Sequence, residues 1–459
     1  MFFDTLLSTN PNESLEFLNS YITKPLPFLL GFTAFSILFF CTKSNKDNLK
    51  ILTKKFKIIL LIIFIISTGV LIKKFDSFIT NDKMYLKQWI DIIYQTFINQ
   101  NEILKEIKIM EGNLDKSIKS TNYQVEIKNA IPKIALIIGE STQRNYMNLY
   151  GYPLKNTQNL SQKTKNGELF IFNDIISSYS HTNQALESVL TFKNYENSST
   201  AWYKHMNLID ILKLAGYKTF WLSNQESVAS YGNSYSVIAK RSHITKYSSQ
   251  RVDGKSPLTY DGILLDIFKT LPQTKENSFY IFHLLGTHRG YKERYPANFE
   301  KFTYQDIKTD INLDKKQSKI VANYVNAILY NDKIVSDIMD KFKDDEAIVF
   351  YLSDHGEEVY DFRDFAGHSD TMASRYMVEI PFMIYVSSQL KQNRPDIIKK
   401  IQNAQNLPFM SDDFIHAFMD IAGIKSKDFN NTRSLFDNAF NASRKRFYSG
   451  KDYDLELKP

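Results

Sequence analysis

The segment Ile134–Tyr152, IALIIGESTQRNYMNLYGY, constrains the fold more than any other stretch of the chain. An unbroken apolar run, Ile134–Ile138, closes at Gly139 and is followed at once by a carboxylate, Glu140. Such a run has lost the alternation of a half-exposed strand, so it predicts a strand covered on both faces in the interior of a sheet. In open α/β sheets, ligands gather beyond the carboxyl ends of the strands. Glu140 falls at that point, and the question becomes which partners the rest of the chain brings to it.

Further candidate strands follow at Tyr217–Leu222, Phe279–Leu284, Ala347–Leu352 and Pro381–Val386, after the first at Lys133–Ile138. Helical periodicity lies between or beyond them, at Leu208–Ala215, Gln317–Phe342 and Asp412–Ala422. Strands alternating with helices predict a layered α/β sandwich on a largely parallel sheet.

The run Ala347–Leu352 empties into Ser353, Asp354, His355, Gly356 and Glu357. If this strand lies parallel to the first, Asp354 and His355 reach the same sheet edge as Glu140. Two carboxylates and an imidazole suit a zinc ion and leave a fourth position for a reacting oxygen. The segment Ser177–Phe192, SSYSHTNQALESVLTF, supplies that oxygen: Thr182 opens a helical pattern, where free backbone N–H groups and the helix dipole favour an anion. A free threonine hydroxyl is a poor nucleophile, and a metal bound to its oxygen makes the alkoxide accessible. Without a metal, Thr182 reads as an ordinary helix cap. His288 and His368 fall in loops near strand ends and suit contacts to a phosphoryl group or a second metal. His181 adjoins Thr182, whereas His205, His243, His283 and His416 read as structural.

The N-terminal third has a different character. Pro25–Cys41 and Ile58–Ile72 are nearly free of charge and bracket Thr42–Lys57, which carries Lys43, Lys46, Lys50, Lys54, Lys55 and Lys57 against Asp47 alone. Runs of this length flanked by lysines predict two transmembrane helices joined by a cytoplasmic loop. The net charge of +7 is thereby explained without nucleic acid. The expected organisation is a membrane anchor over residues 1–78, an amphipathic linker over 79–130, and an extracytoplasmic catalytic domain over 131–459. Cys41 is the sole cysteine, which rules out an intrachain disulfide.

Taken in order, the segments IIGES with NLYGY, SHTNQALESVLTF, HLLGTHRGYKERYP, YLSDHGEE and AGHSD resemble the membrane phosphoethanolamine transferases of the alkaline-phosphatase/sulfatase superfamily. The resemblance covers roughly residues 133–422. It implies an alkaline-phosphatase-like fold and a zinc site formed by Glu140, Thr182, Asp354 and His355, with Thr182 as nucleophile. It further implies one zinc ion or two, with His288 and His368 at the phosphoryl group or the second zinc. Phosphatidylethanolamine is the donor it implies, lipid A or another surface glycan the acceptor, and the bacterial inner membrane, with the catalytic domain in the periplasm, the location. The family's usual anchor has five membrane helices, against two expected here. Competing readings are a hydrolase or glycerophosphate transferase with the same metal site, and a non-catalytic domain that binds a lipid headgroup.

Overall fold

The computed structural model describes residues 123–225, 234–248 and 259–458, together with 108, 109 and 112. The two apolar runs and the amphipathic segment Trp89–Ile107 lie outside the described residues. Among the described residues, no helix is long and apolar enough to cross a membrane.

The centre of the domain is a seven-stranded sheet: β1 (Lys133–Gly139), β2 (Leu169–Phe172), β3 (Lys218–Ser223), β4 (Ile244–Tyr247), β5 (Ser278–His283), β6 (Ala347–Ser353) and β7 (Phe382–Val386). Their spatial order is β2-β7-β6-β1-β5-β3-β4. β6, β1, β5, β3 and β4 pair in parallel, while β7 runs antiparallel to both β6 and β2. The sheet is thus mixed but mostly parallel, and β1 lies at its middle, as its uninterrupted apolar run predicts. The edge strands β2 and β4 escape the sequence reading because each is only four residues long, and β4, ITKY, carries no clear apolar run.

Among the described residues, nine α-helices cover the sheet: α1 (Gln158–Lys165), α2 (Thr182–Val189), α3 (Leu208–Leu214), α4 (Ser234–Lys240), α5 (Ile263–Lys269), α6 (Lys315–Asp340), α7 (Ser388–Asn393), α8 (Pro395–Ala404) and α9 (Phe414–Ala422). Successive side chains of β1 point to opposite faces. Ile134, Leu136 and Ile138 pack with α2, α3, α4, α8 and α9, through residues such as Leu186, Ile211, Ile238, Ile401 and Phe418. Ala135 and Ile137 face the other way, against α1, α5 and α6, through Leu160, Leu264, Val325 and Ile338. The sheet therefore has a helical layer on each face, and its central strands meet no water.

Two local features set element boundaries. Helix α6 begins at Lys315, two residues before its apolar pattern, because Asp314 and Gln317 form a reciprocal capping box. Ahead of residue 131, the short strand Val125–Ile127 pairs antiparallel with Ile424–Ser426, and the Tyr123 hydroxyl donates to Asp428 at 2.7 Å. The chain thus enters the domain along the segment that follows α9.

Candidate metal centre

Strand register does much of the assembly. β1 and β6 pair in parallel with Gly139 opposite Ser353, so the next residue on each strand, Glu140 and Asp354, emerge side by side. The Asp354 N–H donates to the Gly139 carbonyl at 3.1 Å, which ties the two strand ends together. On the other flank, the loop after β5 packs on Glu140: the Thr287 N–H and hydroxyl both donate to its carbonyl at 3.0 Å. Gly286 makes this approach possible. Its φ is +52°, and a Cβ there would lie 2.8 Å from the Glu140 backbone nitrogen and oxygen.

Glu140, Asp354 and His355 are all buried, and one ligand atom from each lies within 4.8 Å of the others. The His355 Nε2 is 3.4 Å from Glu140 Oε1 and 3.5 Å from Asp354 Oδ2. Its Nδ1 lies 2.7 Å from the Gly356 carbonyl, an acceptor only, so the ring proton belongs on Nδ1 and the Nε2 lone pair faces the carboxylates. Thr182 is the first residue of α2, one position past the N-cap His181, whose side chain makes no capping bond. The Thr182 hydroxyl lies 3.2 Å and 3.3 Å from the two Glu140 carboxylate oxygens and 3.4 Å from His355 Nε2. The four residues singled out in the sequence therefore share one neighbourhood, although they come from three separate elements.

The charges explain what the pocket would accept. Burial raises the Glu140 carboxyl above its ordinary value, and the adjacent Asp354 raises it further. Burial alone would depress His355, yet the Asp354 and Glu140 carboxylates outweigh it and lift the imidazole to about 10, so without a cation Nε2 also holds a proton, and a bound metal ion would take that proton's place facing the carboxylates. Asp354 Oδ1 accepts from the Ser141 and His355 N–H groups at 3.0 Å and 2.7 Å, whereas its buried Oδ2 has no hydrogen-bond partner. A buried, unsatisfied carboxylate oxygen is costly, and a cation facing it removes that cost. Two carboxylate ligands, an imidazole lone pair and a nearby hydroxyl fit a four-coordinate zinc ion.

A second group adjoins the first. His355, Glu357 and His368 also bring ligand atoms within 4.8 Å of one another. His368 Nδ1 is 2.7 Å from Glu357 Oε2, while Glu357 Oε1 accepts from the Tyr291 hydroxyl at 2.6 Å. The His368 ring centroid is 4.4 Å from that of His355 and 5.1 Å from that of His181. Both Glu357 oxygens are thus already engaged, which suits this residue to orienting His368. Half-buried His288 lies close enough to Glu140 for that carboxylate to offset part of the desolvation that lowers the imidazole. Both loop histidines therefore lie at the site.

Several residues that shape the site carry no sequence signal. Ser141 adopts a left-handed φ of 56° directly after Glu140. That conformation is uncommon for serine, and the surroundings enforce it: the N–H is held by Asp354 and the carbonyl by the Tyr324 hydroxyl at 2.7 Å. Tyr324 sits in mid-α6 and also accepts from the Gln143 N–H at 2.8 Å. Gln225 donates to Glu140 Oε2 at 3.2 Å and to the Leu284 carbonyl at 3.0 Å. Asp261 accepts from the Leu285 and Gly286 N–H groups, fixing the loop over Glu140. Only Glu357 had a sequence cue, being two residues beyond His355.

An α/β sandwich with this donor set at the carboxyl end of its central strands defines an enzyme of the alkaline-phosphatase-like class. Residues 132–424 match the family described as Sulfatase. The chain belongs to that family, among its phosphoethanolamine transferases. It is 29% identical over 457 residues to phosphoethanolamine transferase EptC of Escherichia coli, covering 95% of this chain and 77% of that protein. It is 28% identical over 279 residues to the Kdo(2)-lipid A phosphoethanolamine 7''-transferase of the same species, covering 60% of this chain and 48% of that one. Among solved structures, the C-terminal periplasmic domain of Escherichia coli EptC in complex with zinc superposes with a TM-score of 0.65 at 31% identity. That match covers 73% of this chain and 96% of the domain.

Proposed function

We propose that the protein transfers phosphoethanolamine from phosphatidylethanolamine to a cell-envelope acceptor such as lipid A or lipooligosaccharide, through a covalent phosphoethanolamine ester on Thr182. The observation that carries this reading is the convergence of the Thr182 hydroxyl with Glu140 and His355, beside Asp354, on one buried point. Glu140, Asp354 and His355 are the residues assigned to hold a zinc ion, with Thr182 as its fourth ligand. When bound, zinc supplies a positive charge that lowers the pKa of the threonine hydroxyl and offsets charge on the phosphoryl oxygens.

The protein's own groups account for the remaining steps. Thr182 stands at the start of α2, whose free N–H groups favour the approaching phosphodiester. Its oxygen forms the new bond to phosphorus, the bond to the diacylglycerol oxygen breaks, and the threonine proton ends on the departing diacylglycerol. An acceptor hydroxyl or phosphate oxygen then bonds to phosphorus, the phosphorus–Thr182 oxygen bond breaks, and the threonine oxygen takes back a proton from the acceptor hydroxyl or, for a phosphate acceptor, from water. His288 and His368 are assigned to the nonbridging oxygens, with Glu357 holding His368 in orientation. Stabilising charge as it develops there is the main catalytic requirement of phosphoryl transfer. A donor whose acyl chains stay in the bilayer is consistent with residues 1–78 acting as an inner-membrane anchor and residues 131–459 as a periplasmic catalytic domain. The zinc-bound periplasmic domain of Escherichia coli EptC and the lipid A activity of the second relative support metal, compartment and acceptor class.

Intact-mass analysis of the full chain after incubation with phosphatidylethanolamine tests the proposal. The wild type gains one phosphoethanolamine group and releases diacylglycerol, and Thr182→Ala does neither. Release of free headgroup phosphate without an adduct would mark a hydrolase instead.

A further inference from the structure

A second cleft lies at the far end of α2 from Thr182. It opens beyond the C-terminus of α2, whose 8 residues span about 12 Å at roughly 1.5 Å per residue, and its lining begins at Phe192. Its volume is ≈ 460 Å³, within the roughly 300–1,000 Å³ usual for ligand sites. Nothing in the transfer chemistry uses it.

The lining has three chemical components. Lys204 and Lys427 stand at the cleft, and neither forms an ion pair among the described residues, although Lys427 lies 5.1 Å from the centroid of the Tyr123 ring. Arg433 adds a third cation, already paired with Asp413 at 2.7 Å, and Asp428 is the one acidic residue of the lining. The second component is a set of hydrogen-bonding groups. The His205 Nε2 is buried without a hydrogen-bond partner. His416 Nδ1 accepts from the Asn430 N–H at 3.2 Å, which leaves its proton on Nε2 as a donor. The Asn194 and Asn430 amide nitrogens complete this set, their oxygens already accepting from the Asn197 and Thr432 N–H groups, while both polar atoms of the Asn197 amide are engaged by the Asn194 N–H and the Phe192 carbonyl. The third component is aromatic: Tyr123, Phe192 and Tyr203 supply ring surface.

Unpaired cations call for an anion, and a cleft combining amides, imidazoles and aromatic faces calls for a polyhydroxylated body with apolar C–H faces. A bare phosphate would leave the aromatic and amide walls unused, and an acyl chain would bury polar groups without partners. We propose that this cleft binds an acidic sugar, carrying a phosphate or a carboxylate, with the charge held by Lys204 and Lys427 and the ring against the aromatic wall. The site is separate from the metal centre and stands whether or not the transfer chemistry holds.

The test uses the full chain in uncharged detergent, treated with chelator so that the metal centre does not capture phosphate, and equilibrium dialysis against glucose 6-phosphate, glucuronate, inorganic phosphate and glucose. Both acidic sugars bind saturably, and phosphate and glucose bind at least about tenfold more weakly, equivalent to about 1.4 kcal/mol. The K204A/K427A double variant loses affinity for the acidic sugars by about tenfold or more, and 0.5 M salt weakens the wild type in the same direction. Both lysines are exposed, so the variant should fold, and a thermal melt matching that of the wild type checks this. A wide salt dependence of wild-type binding gives the same readout without any substitution. Equal affinity for phosphate and glucose 6-phosphate would overturn the sugar assignment. Binding unaffected by the double variant would place it elsewhere, and displacement by phosphatidylglycerol micelles but not by acidic sugars would make the cleft a lipid-headgroup site.

Discussion

At the scale of single residues, the candidate metal centre depends on backbone conformations that Glu140, Asp354 and His355 do not supply themselves. Ser141 holds a left-handed φ only because Asp354 and Tyr324 grip its two backbone polar groups. Tyr324→Phe removes the hydroxyl that pairs the Ser141 carbonyl and the Gln143 N–H. Leaving such buried groups unpaired costs about 1–3 kcal/mol. Chemical denaturation should register that loss, together with weaker zinc uptake, and an unchanged midpoint would mean that Tyr324 contributes no support. Gly286→Ala is expected to be harsher, because its Cβ would collide with Glu140 backbone atoms at a φ that disfavours alanine. A loss of about 2–4 kcal/mol is expected from overpacking and strain together. None of this was legible in the sequence. Tyr324 lies mid-helix among other apolar residues, and its hydroxyl acquires a role only when α6 crosses the end of β1.

Elements bring a different set of constraints. Helix α9 carries His416, buried and lowered to about 3, by burial first and then by the nearby Arg433 and Arg444. Its folded-state pKa lies below the ordinary value, so the stability associated with the neutral ring is full above about pH 6.5 and is lost as the pH falls. By pH 4.5 the loss should reach about 2–3 kcal/mol. Urea unfolding from pH 7 to 4.5 should therefore show a shallower acid decline for His416→Gln than for the wild type. Parallel declines would remove His416 from the account. The start of the same helix is fixed by Arg444, which bonds Asp412 Oδ1 and Asp413 Oδ2 at 2.8 Å and 2.9 Å and also reaches Glu196. Arg444→Met strands buried carboxylates and should destabilise the domain by about 3–5 kcal/mol. A melting temperature within a degree or so of the wild type would contradict this. The sequence revealed α9 by its apolar periodicity, but the pairing partners lie more than 30 positions away and have no spacing rule.

For the molecule as a whole, the proposed metal centre would couple folding to ligand. It joins the ends of β1 and β6 to the start of α2, so a zinc ion that binds only the folded chain raises stability by mass action. At a free concentration about a hundred times its dissociation constant, the gain is about 2.7 kcal/mol. Chelator-treated protein should thus melt at a lower temperature and regain the difference on adding zinc. Asp354→Asn should lose that response, since the unpartnered Asp354 Oδ2 is the group the ion would satisfy. An identical melt with and without zinc would remove the assigned donor set. The seven-stranded order carries the same lesson about long-range structure. The central strands could be recognised by their burial on both faces, but the reversal of β7 and the edge positions of β2 and β4 follow from packing of the finished sheet.

The sequence by itself determined the kinds of residue that would reach the site and the elements that carry them. Glycine after an apolar run, Asp-His after another, and threonine opening a helix are local signals, because each depends on neighbours within a few positions. Tertiary structure decided that Glu140 meets Asp354 through parallel register, that Ser141, Tyr324 and Gln225 hold the first carboxylate, and that a basic, aromatic cleft opens at the other end of α2. Those contacts join positions tens to hundreds of residues apart, and side-chain hydrogen bonds across such separations leave no periodicity in the chain.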